Sequence, residues 1–141
     1  MQRIVAAAKA GVDQPWLADA TADLADDLGA EVAVVSLDGL ELEALSPLPR
    51  SELARDARTA AERFAERIAA RGVPVRAEYR AGPVVPGLLV FAEEVEADLI
   101  VVGATSRGRV ARRMLGTVTR RLVERSRRPV LVVTPPTEPA P

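Results

Sequence analysis

Gly103, Ser106, Arg107, Arg109, Gly116 and Thr117 fall within one stretch, IVVGATSRGRVARRMLGTV over residues 100–118, and their types and order suit the holding of phosphate. A β-branched run ends at Gly103-Ala104, a basic loop follows, and Gly116-Thr117-Val118 opens a helical pattern. Backbone N–H groups at a helix N-terminus, with the positive end of its dipole, favour an anion without a dedicated charged residue. Gly103 through Arg109 would then cradle phosphates, while Gly116 and Thr117 supply backbone and hydroxyl donors. A nucleoside-triphosphatase P-loop does not fit the same residues. That motif needs Lys for the β- and γ-phosphates and Ser or Thr for Mg²⁺, where this chain has Arg109 and Val110.

Composition narrows the chemistry further. The chain has no Cys and no His. Disulfides, thiolate metal sites and cysteine nucleophiles are excluded, and the commonest general base and transition-metal ligand is missing. A hydrolytic triad or a zinc centre is therefore not expected, and no catalytic or metal-ligating residue stands out. The net charge of −1 conceals an asymmetry: residues 103–128 hold nine Arg against one acid, Glu124. Such polarity can mark an anion-binding face. For Arg120, Arg121, Arg125, Arg127 and Arg128 a solvated helix face near a C-terminus explains the charge as well. Nucleic acid is not the expected partner, because aromatics make up 3% of the chain and no stacking platform is interleaved with the basic residues.

The elements that position these residues follow from periodicity. Ile4 to Ala8 reads as a short buried strand and Trp16 to Leu28 as a helix with Leu17, Ala20, Thr21, Leu24 and Leu28 on one face. Glu31 to Leu37 is a second strand, and residues 38–49 form a loop with two prolines. Arg50 to Arg71 is the strongest helix, with an apolar stripe of Leu53, Ala57, Ala60, Ala61, Phe64 and Ile68. Val73 to Tyr79 is a strand, and residues 84–96 form a helix with Pro86 in its first turn. Asp98 to Val102, Met114 to Arg127 and Pro129 to Val133 complete the series as strand, helix and strand. Five strands separated by four helices predict a single α/β doubly wound domain built on a parallel sheet. At 141 residues one domain is expected, over 1–134, with 135–141 a disordered tail. Ligands of such folds sit beyond the carboxyl ends of the strands where strand order reverses, here residues 8–13 and 103–108. The opening MQRIVAAAKAG reads as a strand and not as a secretory segment, and no apolar run approaches the ~20 residues of a membrane span. A cytoplasmic protein is expected.

The order of IVAAAKAG, LADDLGAEVAVVSL, EVEADLIVVGATSRG, LGTV and RRPVLVV resembles the universal stress protein family over about residues 3–134. The resemblance implies a five-stranded sheet of order 3-2-1-4-5, of the adenine nucleotide alpha hydrolase-like type. It also implies homodimers joined through the last strand, Val130–Val133, and a cytoplasmic role in stress survival. Some members of the family bind ATP and others do not. The binding members carry Gly, two residues, Gly, nine residues, then Gly followed by Ser or Thr. The first glycine maps to Gly103 and the last pair to Gly116-Thr117, but the middle glycine falls on Ser106. An Asp after the first strand of those members maps to Lys9.

Both departures have physical weight. Ser106 serves if its φ is negative, and costs roughly 1–2 kcal/mol if a left-handed conformation is needed. Lys9 replaces a carboxylate that would take a metal or a ribose hydroxyl with a cation. It can contact phosphate as a point charge, or form a salt bridge with Asp13. Mg²⁺ is consequently not expected. The leading expectation is a non-catalytic binder of an adenine nucleotide, ATP or AMP, through an altered site comprising Lys9, Gly103, Ala104, Ser106, Arg107, Arg109, Gly116, Thr117 and Val118. The alternatives are a nucleotide-independent dimeric interaction protein with a degenerate site, and a weak ATPase. Trp16 either packs partly buried or stacks on a base; Tyr79 reads as a sheet residue.

Overall fold

The computed structural model describes residues 2–39, 50–104 and 116–136. In chain order the elements are β1 (Arg3–Ala7), α1 (Pro15–Leu28), β2 (Glu31–Leu37), α2 (Arg50–Ala69), β3 (Val75–Arg80), α3 (Val84–Glu94), β4 (Leu99–Gly103), α4 (Thr117–Arg125) and β5 (Val130–Val133). The strands pair in parallel in the order β3-β2-β1-β4-β5. This is the expected doubly wound α/β sheet, with its reversal between β1 and β4.

Alternation along each strand sends side chains to two separate cores. Ile4, Ala6 and Ala8, Val32 and Val34, and Leu99 and Val101 face α1 and α2, where they meet Leu17, Ala22, Ala61, Phe64 and Ile68. Val5, Ala33, Val35, Leu37, Ile100 and Val102 face the other way, onto Leu88, Phe91 and Ala92 of α3 and Leu122 of α4. Because both faces are covered, β2 and β4 are near-continuous apolar runs, as parallel sheets require.

Local rules set the helix ends. Pro15 stands at the first position of α1, where its missing N–H is harmless. Gly29 closes that helix in the left-handed conformation, φ 64°, and returns its N–H to the carbonyls of Ala25 and Asp26. The apolar stripe of α1 differs from expectation: Leu28 is exposed, whereas Ala18, Ala22 and Ala25 are buried. Small side chains permit the closest approach of helix to sheet, so Ala18, Ala22 and Ala25 join Leu17 and Thr21 in the contact. Strand and helix ends otherwise move by up to a few residues; α2 stops at Ala69 and β3 begins at Val75.

Candidate functional site

The reversal point lies where β1 and β4 end side by side. Pairing of β1 extends one residue beyond the strand, since the Ala8 N–H donates to the Val35 carbonyl at 2.9 Å. Lys9 follows, exposed, and the chain turns sharply through Gly11 at φ 74°, with the Val12 N–H donating to the Lys9 carbonyl. Among the described residues Lys9 makes no ion pair, so the Asp13 salt bridge expected as one alternative is absent. Its backbone N–H instead donates to Gln14 Oε1 at 3.2 Å. Gln14 is only 9% exposed. Its amide therefore holds the β1–α1 turn and does not cap α1.

Gly103 is the last residue of β4, opposite Val133 of β5, and the Ala104 N–H donates to the Val133 carbonyl at 2.8 Å. Its α-carbon faces the α1 side of the sheet. A Cβ placed there would lie 2.7 Å from Trp16 Cη2 and 3.1 Å from both Gln14 Nε2 and Leu17 Cδ2. Glycine at 103 is thus required by the close approach of α1. Trp16 is half-buried and packed against the core, with the edge of its ring against the end of β4.

Across the reversal, α4 begins at the same sheet edge, because a helix leading to a parallel strand runs back against the strand direction. Gly116 is its N-cap, at φ −59° and ψ 160°, and no side chain among the described residues caps the helix. Thr117 and Val118 are exposed, and among the described residues no group outside the helix accepts from its first-turn N–H groups. Lys9, Gly103, Ala104, Gly116, Thr117 and Val118 are therefore placed at one edge of the sheet. Ser106, Arg107 and Arg109 lie outside the described residues, as do Arg112 and Arg113.

The basic residues that follow divide into two kinds. Arg120, Arg121, Arg125 and Arg127 are exposed along or just beyond α4. Arg128 is structural: it donates to Glu93 Oε2 at 2.7 Å and to the Ala97 carbonyl, and this contact holds the Glu93 carboxyl below its usual range. Tyr79 also proves structural, donating to Asp38 Oδ2 at 2.8 Å, while Asp38 Oδ1 accepts from the Gly82 N–H at 2.9 Å. That buried carboxylate was not visible in the sequence, where residues 38–49 read as a featureless loop. Among the described residues no group of three or more His, Cys, Asp or Glu could hold a metal ion. No helix among them is long and apolar enough to cross a membrane. A hollow of about 990 Å³ lies at the opposite edge, lined by Gln2, Gly29, Glu31, Pro74 and Asp98. It sits at the amino ends of the strands, whereas open α/β sheets take ligands beyond the carboxyl ends.

Comparison with known proteins bears on this arrangement. The model of the Universal stress protein family matches residues 1–134. A universal stress protein of Methanocaldococcus jannaschii is 38% identical over 65 residues, which make up 46% of this chain and 38% of that relative's length. The structure of a universal stress protein in complex with cAMP superposes with a TM-score of 0.69 at 24% identity, covering 94% of this chain and 96% of that one. The universal stress protein of Archaeoglobus fulgidus in complex with dAMP superposes with a TM-score of 0.67 at 21% identity, covering 94% and 98%. At these identities the structural matches establish the fold.

Proposed function

Since this chain belongs to the universal stress protein family, we propose that it is a non-catalytic, cytoplasmic stress-response protein that binds an adenine nucleotide at the junction of β1 and β4. One observation carries the proposal: the sheet reverses between β1 and β4, and at that edge the uncapped N-terminus of α4 stands with Gly103 and Lys9. Open N–H groups and the helix dipole suit a phosphate, and the Lys9 ammonium supplies a positive charge where related sites would place a carboxylate and metal. Two of the structural matches are complexes with cAMP and dAMP, which supports an adenine ligand with a short phosphate arm. Arg107 and Arg109 complete the cradle in this proposal. ATP remains within the same chemistry, with Lys9 in place of Mg²⁺. With neither His nor Cys in the chain, and no described carboxylate cluster at this edge, the reading is of binding without turnover.

A second reading is favoured by a different observation. Trp16 and Gln14 close over Gly103, so the glycine that signals phosphate approach is needed for packing alone. In that reading the site is degenerate and the protein works as a dimer through β5.

Calorimetry with AMP, cAMP and ATP, with and without Mg²⁺, separates the two. The nucleotide reading expects saturable binding, unaffected by Mg²⁺ and weakened by Lys9→Ala. Absence of heat at about millimolar nucleotide, an affinity of roughly −4 kcal/mol, sinks it. Binding that appears only in the double variant Lys9→Asp, Ser106→Gly supports the degenerate site.

A further inference from the structure

The helices α1 and α2 run side by side on one face of the sheet and are zipped at their lower ends. Arg67 donates to both carboxylate oxygens of Asp19, at 2.8 and 3.0 Å, and Arg71 pairs with Asp23. Each rung joins residues 48 apart in the sequence. One turn earlier the same register sets Arg63 against Pro15, which has no carboxylate. The zip stops there, and a cleft of about 300 Å³ opens between α2 and the β1–α1 turn.

Five charged side chains line that cleft: Arg67 is taken up by Asp19, whereas Arg55, Arg63, Asp13 and Asp56, all partly open to solvent, are not consumed by one another. Arg55 and Arg63 stand on α2 at the helical spacing that includes Thr59, so all three share one stripe. Neither arginine has an ion pair or hydrogen-bond partner among the described residues. Asp13 and Asp56 line the same space and likewise make no ion pair, although the field of Asp13 reaches Arg67. Gln14, nine-tenths buried, also borders the cleft, but its Oε1 is engaged by the Lys9 N–H and its Nε2 lies toward Gly103, 3.1 Å from where a Cβ there would stand. Pro15 and Phe64 give the cleft an apolar wall.

A simple anion would meet the two unpaired carboxylates, and a simple cation the two unpaired guanidinium groups beside Arg67. A ligand carrying both signs satisfies all four. We infer that the α1–α2 cleft binds a small zwitterion of the amino-acid class, its carboxylate on Arg63 where the zip lacks an acid and its cationic nitrogen between Asp13 and Asp56. The volume accommodates a molecule of that size, and the apolar wall receives a short side chain. The inference is independent of nucleotide binding at the strand ends, although Gln14 borders both places.

The test is a titration of the ¹⁵N-labelled full chain with alanine, valine, leucine and phenylalanine, followed at the Gln14 side-chain amide and the Gly11, Thr59 and Arg63 backbone signals. At least one amino acid is expected to give saturable shifts at those signals. Its N-acetyl and its amide derivatives, each lacking one charge, should bind at least about tenfold more weakly. Arg63→Ala and Asp56→Asn should each weaken binding by a similar factor, whereas Glu62→Ala, on an exposed position outside the cleft, should not. Thermal melts of the variants verify folding. The inference is overturned if none of the four saturates by about 10 mM. It is equally overturned if the singly charged derivatives bind as well as the parent, or if Arg63→Ala in a folded protein leaves the affinity unchanged.

Discussion

Gly103 shows how one residue can satisfy a family pattern for a reason of packing. It has no need of a left-handed backbone; its constraint is the 2.7 Å that a Cβ would leave to the Trp16 ring. A flat, rigid ring cannot yield as a flexible chain end would, so Gly103→Ala should destabilise the fold by about 1–3 kcal/mol, the usual cost of overpacking. The decisive measurement is a double-mutant cycle in urea. If packing is the reason, Trp16→Ala relieves most of the penalty of Gly103→Ala, giving a coupling of at least about 0.5 kcal/mol. Additive effects would mean that Trp16 is not what demands the glycine. Trp16 is also the chain's single Trp. Its fluorescence should therefore change on nucleotide addition if the ligand reaches the end of β4. An invariant spectrum under saturating nucleotide would place the ligand elsewhere.

At the scale of elements, Gly87 makes a similar point in a helix. A glycine inside a helix is ordinarily about 1 kcal/mol worse than alanine, so Gly→Ala is commonly stabilising. Here α3 lies so close to β2 that a Cβ would stand 2.1 Å from Leu37 Cδ2. Gly87→Ala is accordingly expected to lower the urea midpoint, and Gly87→Ala with Leu37→Ala to recover part of it. A gain in stability from the single change would show that Leu37 repacks freely.

The sheet's amino edge has its own test. Asp98 Oδ2 accepts from the Gln2 and Arg3 N–H groups at 2.9 and 3.0 Å, and these bonds hold its carboxyl below the usual range. A carboxyl with a depressed native pKa stabilises the fold above its unfolded value of about 3.9. That contribution is lost as pH falls through the lower native value. Asp98→Asn should therefore be less stable than the parent near neutral pH, with the gap closing in acid as the native carboxyl takes up its proton. Urea midpoints across that range check it; a gap that stays constant would assign the effect to shape and not charge.

These elements were legible in the sequence because their signals are local. Glu31–Leu37 was bounded correctly by Gly29 before it and by the end of its apolar run after it. The strand, glycine, basic loop and glycine-started helix around 100–118 were likewise readable as one phosphate-type unit. What was not legible is the closing of Gln14 and Trp16 over Gly103. It joins α1 to β4 across most of the chain, and no local periodicity encodes it. The open α1–α2 cleft was hidden for the same reason, since Arg63 lacks a partner only in relation to Pro15 on another helix.

For the whole molecule, the two edges of the sheet differ in a way that bears on assembly. The β3 edge carries Arg76, Glu78 and Arg80, and charges of this kind discourage pairing with another chain. The β5 edge reads Val130-Leu131-Val132-Val133, without a charge, and Leu131 is 40% exposed. Close by in the sequence, Val118 and Val123 of α4 are also exposed. An uncharged apolar edge on a parallel sheet is a liability for a monomer and a natural seam for a homodimer related by a twofold axis. If the proposed dimer uses this edge, Leu131→Lys should break it with little effect on the monomer, because that side chain belongs to neither core cluster. Light scattering after size exclusion should give twice the 15.0 kDa chain mass for the parent and one chain mass for Leu131→Lys. A parent that runs as a monomer at about 100 μM, or a Leu131→Lys variant that remains dimeric, would move the interface away from β5.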